Sequence, residues 1–220
     1  MNILKGKTEF LMGIDNVEQL KTWLNEHPFI NGIAFIGRSN VGKSSLINSL
    51  FGKNTARVSK TPGRTRQVNI FSFQIEDKEM KTIENFYLFD VPGYGHAEVS
   101  KEMARNWQDL LDNFFHLCSE KILLLNVQDS RHPLQESDLL FHEYIKAFKL
   151  ETYLVFNKMD KLKTQSERSK LKNRMPDIYK KFKWVKQIHF TSAEKGDGID
   201  GLELSVINFS KRNSDMKGYL

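Results

Sequence analysis

The apolar residues of this chain fall into two spacings that take turns. Short dense runs at 33–36, 70–75, 85–90, 122–127, 152–156 and 185–190 are rich in Ile, Leu, Val, Phe and Tyr and have the length of strands. Between most of them the apolar positions open out to helical spacing. One such segment runs from 45 to about 51; Met103, Trp107, Leu110, Leu111, Phe114 and Leu117 form a second stripe. Leu140, Tyr144 and Phe148 form a third, and Ile199, Leu202, Val206 and Phe209 a last one. Only a charged turn, 76–81, parts the runs at 70–75 and 85–90, which predicts an antiparallel hairpin. Elsewhere a helix lies between strands, so parallel pairing through crossovers is expected. The prediction is an α/β domain with a mostly parallel central sheet of about six strands and helices on both faces. Its bounds read as 33–211, after a lead-in over 1–32 packed on the domain through an amphipathic segment at 17–24, and before a short tail over 212–220.

Composition adds location and a charge map. No apolar run approaches the roughly 20 residues that span a bilayer, and the first ten residues lack the apolar centre of a signal peptide. A cytoplasmic protein with no membrane partner is expected. Cys118, the single cysteine, falls in an apolar helical pattern and reads as a reduced, buried thiol. The net charge of +6 is uneven: residues 146–186 hold thirteen Lys/Arg against four Asp/Glu, and the remainder twenty against twenty-three. Much of that basic charge lies on a predicted helical stretch, 164–181. Such a region suits nucleic acid phosphates, or is a solvated lysine-rich surface; charge alone does not choose.

The chemistry begins after the first dense run. Gly37-Arg38-Ser39-Asn40-Val41-Gly42-Lys43-Ser44, with Ser45 next, is G-x-x-x-x-G-K-[ST] between a strand and a helix. Glycines let the backbone wrap closely, so that N–H groups and the helix N-terminus face phosphate oxygens. Lys43 is placed to reach the β/γ-phosphates and the Ser44 hydroxyl to ligate Mg²⁺. A chance match in a chain this long is on the order of one in a hundred. The polar, aperiodic stretch 52–69 predicts a long loop, in which Thr61 or Thr65 would complete the Mg²⁺ shell. Asp90-Val91-Pro92-Gly93 ends a strand as D-x-x-G: Asp90 would hold Mg²⁺ through water and the Gly93 N–H would touch the γ-phosphate. Asn157-Lys158-Met159-Asp160 ends another strand as N-K-x-D. The Asp160 carboxylate suits the N1–H and 2-amino group that only guanine offers together; Asn157 would fix the base edge and Lys158 lie along the phosphate loop. Thr191-Ser192-Ala193 follows the last strand, as a turn whose backbone would contact the guanine oxygen.

These motifs in this order describe a Ras-like P-loop GTPase domain. The wording GRSNVGKSS (37–45), TPGRT (61–65), DVPGYG (90–95) and DSRHP (129–133) further resembles the EngB-type ribosome-biogenesis GTPases, over about 33–209. Asn157 departs from the threonine often found there, without loss of guanine specificity. The resemblance implies that Thr65 is the Mg²⁺ threonine and that Gly63, Arg64, Thr65, Arg66 and Gln67 line the nucleotide, so that Lys43, Thr65 and Gly93 serve catalysis. It implies GTP hydrolysis in assembly of the large ribosomal subunit, with an effect on cell division and septation; a regulator or scaffold acting directly at the septum is the alternative. RNA-modifying and membrane-transport GTPases generally carry an added domain, for which 210–220 leaves little room. The expected partner is the large subunit or its precursor, met through rRNA at the basic 146–186 region, with no DNA and with a monomer as the default. Tyr94 stands where many small GTPases have the glutamine that orients water, which implies slow intrinsic hydrolysis. Asn40 is a candidate holder of K⁺ between the phosphates, against the plainer role of stabilising its loop. His96 and His132 are assigned no catalytic role.

Overall fold

The computed structural model describes residues 1–56, 67–94 and 101–217. In chain order the strands are β1 (Asn2–Ile3), β2 (Glu9–Ile14), β3 (Gly32–Gly37), β4 (Val68–Asp77), β5 (Thr82–Asp90), β6 (Ile122–Asp129), β7 (Glu151–Asn157) and β8 (Val185–Phe190). The helices are α1 (Val17–Glu26), α2 (Lys43–Phe51), α3 (Lys101–Cys118), α4 (Glu136–Ile145), α5 (Gln165–Lys172), α6 (Met175–Lys181) and α7 (Ile199–Lys217). The strands join in one sheet in the order β1-β4-β5-β3-β6-β7-β8, with β2 also paired to β4. From β5 through β3, β6 and β7 to β8 every pairing is parallel, while β4 runs antiparallel to β5, β1 and β2.

Alternation along the central strand explains the layers. In β3, Ile33 and Phe35 face a core built with Leu46, Ile47 and Phe51 of α2 and Leu202 and Val206 of α7. Ala34 and Ile36 face the opposite core, with Leu20 and Trp23 of α1, Leu110 and Phe114 of α3 and Phe141 of α4. A strand covered on both faces has no polar side, which is why β3 and β6 are buried throughout. Leu154 and Phe156 of β7 pack with Leu171, Ile178 and Phe182 from α5 and α6. The Cys118 thiol is wholly buried, and burial pushes its pKa up to about 12.

The expected architecture holds, with corrections. The sheet has eight strands rather than about six. The additional ones come from the N-terminal lead-in, where β1 and β2 lay Asn2 against Glu76 and Phe10 against Phe71 on the free side of β4. β1 is too short for any periodicity and β2 is mostly exposed, so neither gives a dense apolar run. The basic stretch 164–181 is two helices, α5 and α6, with Pro176 in the first turn of α6, where its missing N–H is tolerated. The α4 stripe is also different: Leu140 is 66% exposed, and the inward face is Asp138, Phe141, His142 and Ile145. Met103, placed in the α3 stripe by its spacing, is 54% exposed.

Phe51 lies edge-on between Phe35 and Phe73, with centroids 6.0 and 4.8 Å away, and is fully buried. Phe51→Ala should lower unfolding free energy by about 3–5 kcal/mol, measured by urea titration of the ligand-free protein. A loss under about 1 kcal/mol would show that α2 is not pinned there.

Candidate functional site

The loop between β3 and α2 leaves the sheet where β3 passes between β5 and β6. Asn40 (φ 64°) and Gly42 (φ 88°) both turn it through the left-handed region. At Gly42 a Cβ would also stand 2.5 Å from Asn157 Nδ2, so glycine is required on two counts. α2 starts at Lys43, and Gly42, having no side chain, leaves its first N–H groups uncapped. Such a helix start favours an anion. Gly93 closes the same space from β5: a Cβ there would come within 2.5 Å of the Gly37 carbonyl oxygen. Lys43 and Asp90, both largely buried, form an ion pair across the gap. Ser44 and Ser45 follow in the first turn of α2, half-buried. The side chains of Val41, Val91 and Met159 are buried in the cores, which leaves their backbone alone to meet a ligand.

Asn157, at the end of β7, joins this loop to the far end of the site. Its Nδ2 donates to the carbonyls of Val41 (3.2 Å) and Gly42 (3.3 Å), while its Oδ1 accepts from Thr191 Oγ1 (3.3 Å) and the Ala193 N–H (3.1 Å). The side chain expected at a base edge is therefore also the tie between two loops. Met159 N–H donates to the Thr191 carbonyl at 3.0 Å. Asp160 Oδ1 accepts from Ser192 Oγ at 2.6 Å and Oδ2 lies 3.1 Å from Lys161 Nζ. Burial would raise its pKa, but Ser192 and Lys161 outweigh burial and hold the carboxyl below its ordinary range. Asp160 is thus an anion at neutral pH, the acceptor that paired N–H donors need.

Two features were not assigned roles from sequence. The first is Asp129, at the end of β6. Its carboxylate accepts from the Arg131 backbone N–H and Nε, both at 3.0 Å, and from an Arg131 terminal nitrogen at 2.7 Å, and lies 3.2 Å from Lys158 Nζ. Lys158 Nζ donates at the same time to the Asn40 carbonyl, so Asp129 steadies the lysine along the phosphate loop. DSRHP was legible as a motif, but nothing in its spacing named the lysine as partner. The second is Asp138, in the first turn of α4 and without solvent exposure. Its Oδ1 accepts from Arg38 Nε and from the Tyr94 hydroxyl, each at 2.9 Å, and its Oδ2 from the Gln135 N–H at 2.9 Å. Arg38 also donates to the His132 carbonyl at 2.7 Å, so exposed His132 contributes backbone here. The Tyr94 ring stacks on Phe141 at 4.5 Å, and its oxygen accepts from Asn126 Nδ2 at 3.0 Å.

Of the remaining expected residues, Ser39 lies half-buried beside Arg38. Gln67 stands at the entry to β4 with its amide 3.5 Å from Asp15 Oδ2. Thr61, Gly63, Arg64, Thr65 and Arg66, together with Gly95 and His96, lie outside the described residues.

The Asp129 cluster carries a pH signature. Burial raises its pKa, but Arg131 and Lys158 more than reverse this and hold it at about 2, below its ordinary 3.8. A depressed folded pKa contributes stability that is full above the unfolded value and disappears as pH falls toward the folded one. The gap in melting temperature between the parent protein and Asp129→Asn should therefore be largest near neutrality and narrow between pH 3.8 and about 2. A gap independent of pH would remove this ion cluster from the stability of the site.

Comparisons with known proteins agree with this arrangement. A family model described as "50S ribosome-binding GTPase" matches residues 32–158. The "Probable GTP-binding protein EngB" of Thermosipho africanus is 40% identical over 174 residues, 76% of this chain and 84% of the relative. A crystal structure of a probable GTP-binding protein engB is similar with a TM-score of 0.59 and 26% identity, over 82% of this chain and 99% of that one. Era in complex with MgGDPNP and nucleotides of 16S ribosomal RNA is similar with a TM-score of 0.61 and 24% identity, over 82% of this chain and 56% of that chain, a likeness of fold. The sheet, the helices on its two faces and the order of the loops are those of the Ras-like P-loop GTPases. This chain is a GTPase, and it belongs to the EngB family of GTP-binding proteins.

Proposed function

We propose that the protein is a cytoplasmic, monomeric switch that binds GTP with Mg²⁺, hydrolyses it slowly, and acts in assembly of the large ribosomal subunit, with division and septation depending on that assembly. One G domain over 33–211, extended by the segments on either side, carries the activity. The observation that supports this most directly is the double tie of Asn157, which holds the phosphate loop and the turn after β8 in one frame. A nucleotide that fills both ends is recognised as a whole.

The residues fit the expected groups. Ser44 and Thr65 would ligate Mg²⁺ and Asp90 would hold it through water, a set of oxygens that suits a hard cation. The Lys43–Asp90 ion pair supports this, since it puts the carboxylate beside the lysine assigned to the phosphates. Bound there, Mg²⁺ would neutralise charge on the β/γ-phosphates. Lys43 and the uncapped N–H groups of α2 hold phosphate oxygens, and Gly93 offers its N–H to the γ-phosphate. Slow hydrolysis is supported by Tyr94, whose hydroxyl is bound to Asp138 and is not available to orient a water. The ribosomal reading is supported by the family model's description and by the surface of α5, α6 and the flanking loops. There Lys163, Lys170, Lys172, Arg174, Lys180 and Lys183 are all exposed and form no ion pair among the described residues. Era, which shares the fold, has been seen on 16S ribosomal RNA.

Guanine recognition is tested by Asp160→Asn. An amide keeps an acceptor for N1–H but turns a donor toward the 2-amino group, so GDP affinity should fall about 100-fold or more while xanthosine diphosphate, with a carbonyl at that position, gains. Unchanged GDP affinity would displace Asp160 from the base. The ribosomal role is tested by co-sedimentation of the full chain with large ribosomal subunits. Association chiefly with a non-hydrolysable GTP analogue, over GDP or no nucleotide, is the expected result. Absence of binding in every state, with guanine nucleotide still held, would turn the reading to a direct role at the septum.

A further inference from the structure

Asp138 gathers groups from parts of the site that are far apart in the chain. Arg38 belongs to the phosphate loop, and Tyr94 directly follows Gly93, the glycine assigned above to the γ-phosphate. Neither contact is a surface pairing. Asp138 and Asn126 have no exposure, and the Arg38 side chain is 21% exposed. A buried carboxylate without its cation is costly, so Arg38 is held to one position, and the phosphate loop with it. The Tyr94 hydroxyl is fixed from both sides, donating to Asp138 and accepting from Asn126, while its ring lies flat on Phe141 with planes 7° apart. Consecutive Cα atoms are about 3.8 Å apart. A tyrosine locked in this way therefore confines Gly93 as well.

We infer that Asp138 and Tyr94 are positioning residues that set how far this site discriminates between GTP and GDP, by holding the Gly93 N–H where only a γ-phosphate meets it. The inference rests on the reading of the protein as a GTP switch. GDP ends short of Gly93 and is held by the phosphate loop and the base pocket, so it is insensitive to the Tyr94 arm of this anchor, whereas the Arg38 arm steadies the loop that both nucleotides share. Tyr94 takes no part in proton transfer here. It acts through its neighbour, and its effect falls on nucleotide discrimination rather than on the phosphate chemistry.

Fluorescent analogues of GDP and of non-hydrolysable GTP, titrated into the full chain with Mg²⁺, give the test. Tyr94→Phe keeps the ring on Phe141 and removes only the hydroxyl. It should weaken the GTP analogue about tenfold, the scale of one hydrogen bond to a charged group, while GDP stays within about twofold. Its melting temperature should stay within a few degrees of the parent's. Asp138→Asn should shift the ratio in the same direction with a larger loss of stability; if it fails to fold, Tyr94→Phe decides. A purely structural role would weaken both nucleotides alike. That result, an unchanged ratio, or tighter binding of the GTP analogue overturns the inference while leaving the GTPase reading intact. A parent protein that binds neither nucleotide overturns both.

Discussion

The amide of Asn157 can meet the phosphate loop and the turn after β8 together because β3, β7 and β8 end at one edge of the sheet. Parallel pairing sets this. Strands that all run the same way bring their C-terminal ends to one side, and the loops leaving those ends share a crevice. The close contact between Gly37 and Gly93 is the same constraint at the neighbouring pair, since β5 also runs parallel to β3. A side chain at Gly93 would hold the loops apart, and one at Gly37 would press on the Val127 carbonyl of β6. The site is thus a property of sheet register, and the motif residues tighten an encounter that the topology has already arranged.

Beneath that edge lies a polar layer in an otherwise apolar core. Gln128 Nε2 donates to Asn126 Oδ1 at 2.9 Å and stands 3.3 Å from His142 Nε2, while its carbonyl oxygen accepts from the Leu134 N–H at 2.9 Å. His142 stacks on Phe182 at 4.2 Å, and burial, with a smaller contribution from Lys181, lowers its pKa to about 4, so it is neutral near pH 7. Buried amides and carboxylates accept few alternative geometries, whereas apolar side chains would tolerate a slide of α4 along the sheet. The layer therefore fixes α4 to β6 and, through Asp138, to the phosphate loop.

Much of this was legible in the chain. The dense strands, the hairpin of β4 and β5 and the crossover helices follow from periodicity, because burial on one or both faces leaves that imprint. The phosphate loop, D-x-x-G and N-K-x-D are local strings whose chemistry is carried by their own residues. What escaped depends on partners distant in sequence. Arg38 and Asp138 are 100 residues apart, and Asn157 is 116 from Val41. Asp138 and His142 look like the solvent side of a helix, so the apolar template assigned the inward face to Leu140. β1 and β2 escaped for the opposite reason: edge strands with a solvated face carry little pattern.

Those N-terminal strands bear on the edge of the sheet. β4 is 10 residues long and alternates buried with half-buried positions, and its side away from β5 would otherwise present a row of unpaired N–H and C=O groups. Such an edge is a template for a strand from another molecule, and with it for aggregation. β1 covers the far end of β4, at Ile75 and Glu76, and β2 covers the near end from Val68 to Ser72, so the chain's own beginning occupies the place an intruding strand would take. This cover cannot form until β4 has been made, and so a nascent chain carries its N-terminal segment unpaired until then. Residues 2–14 thus cap an edge that would otherwise be open to a strand from another molecule.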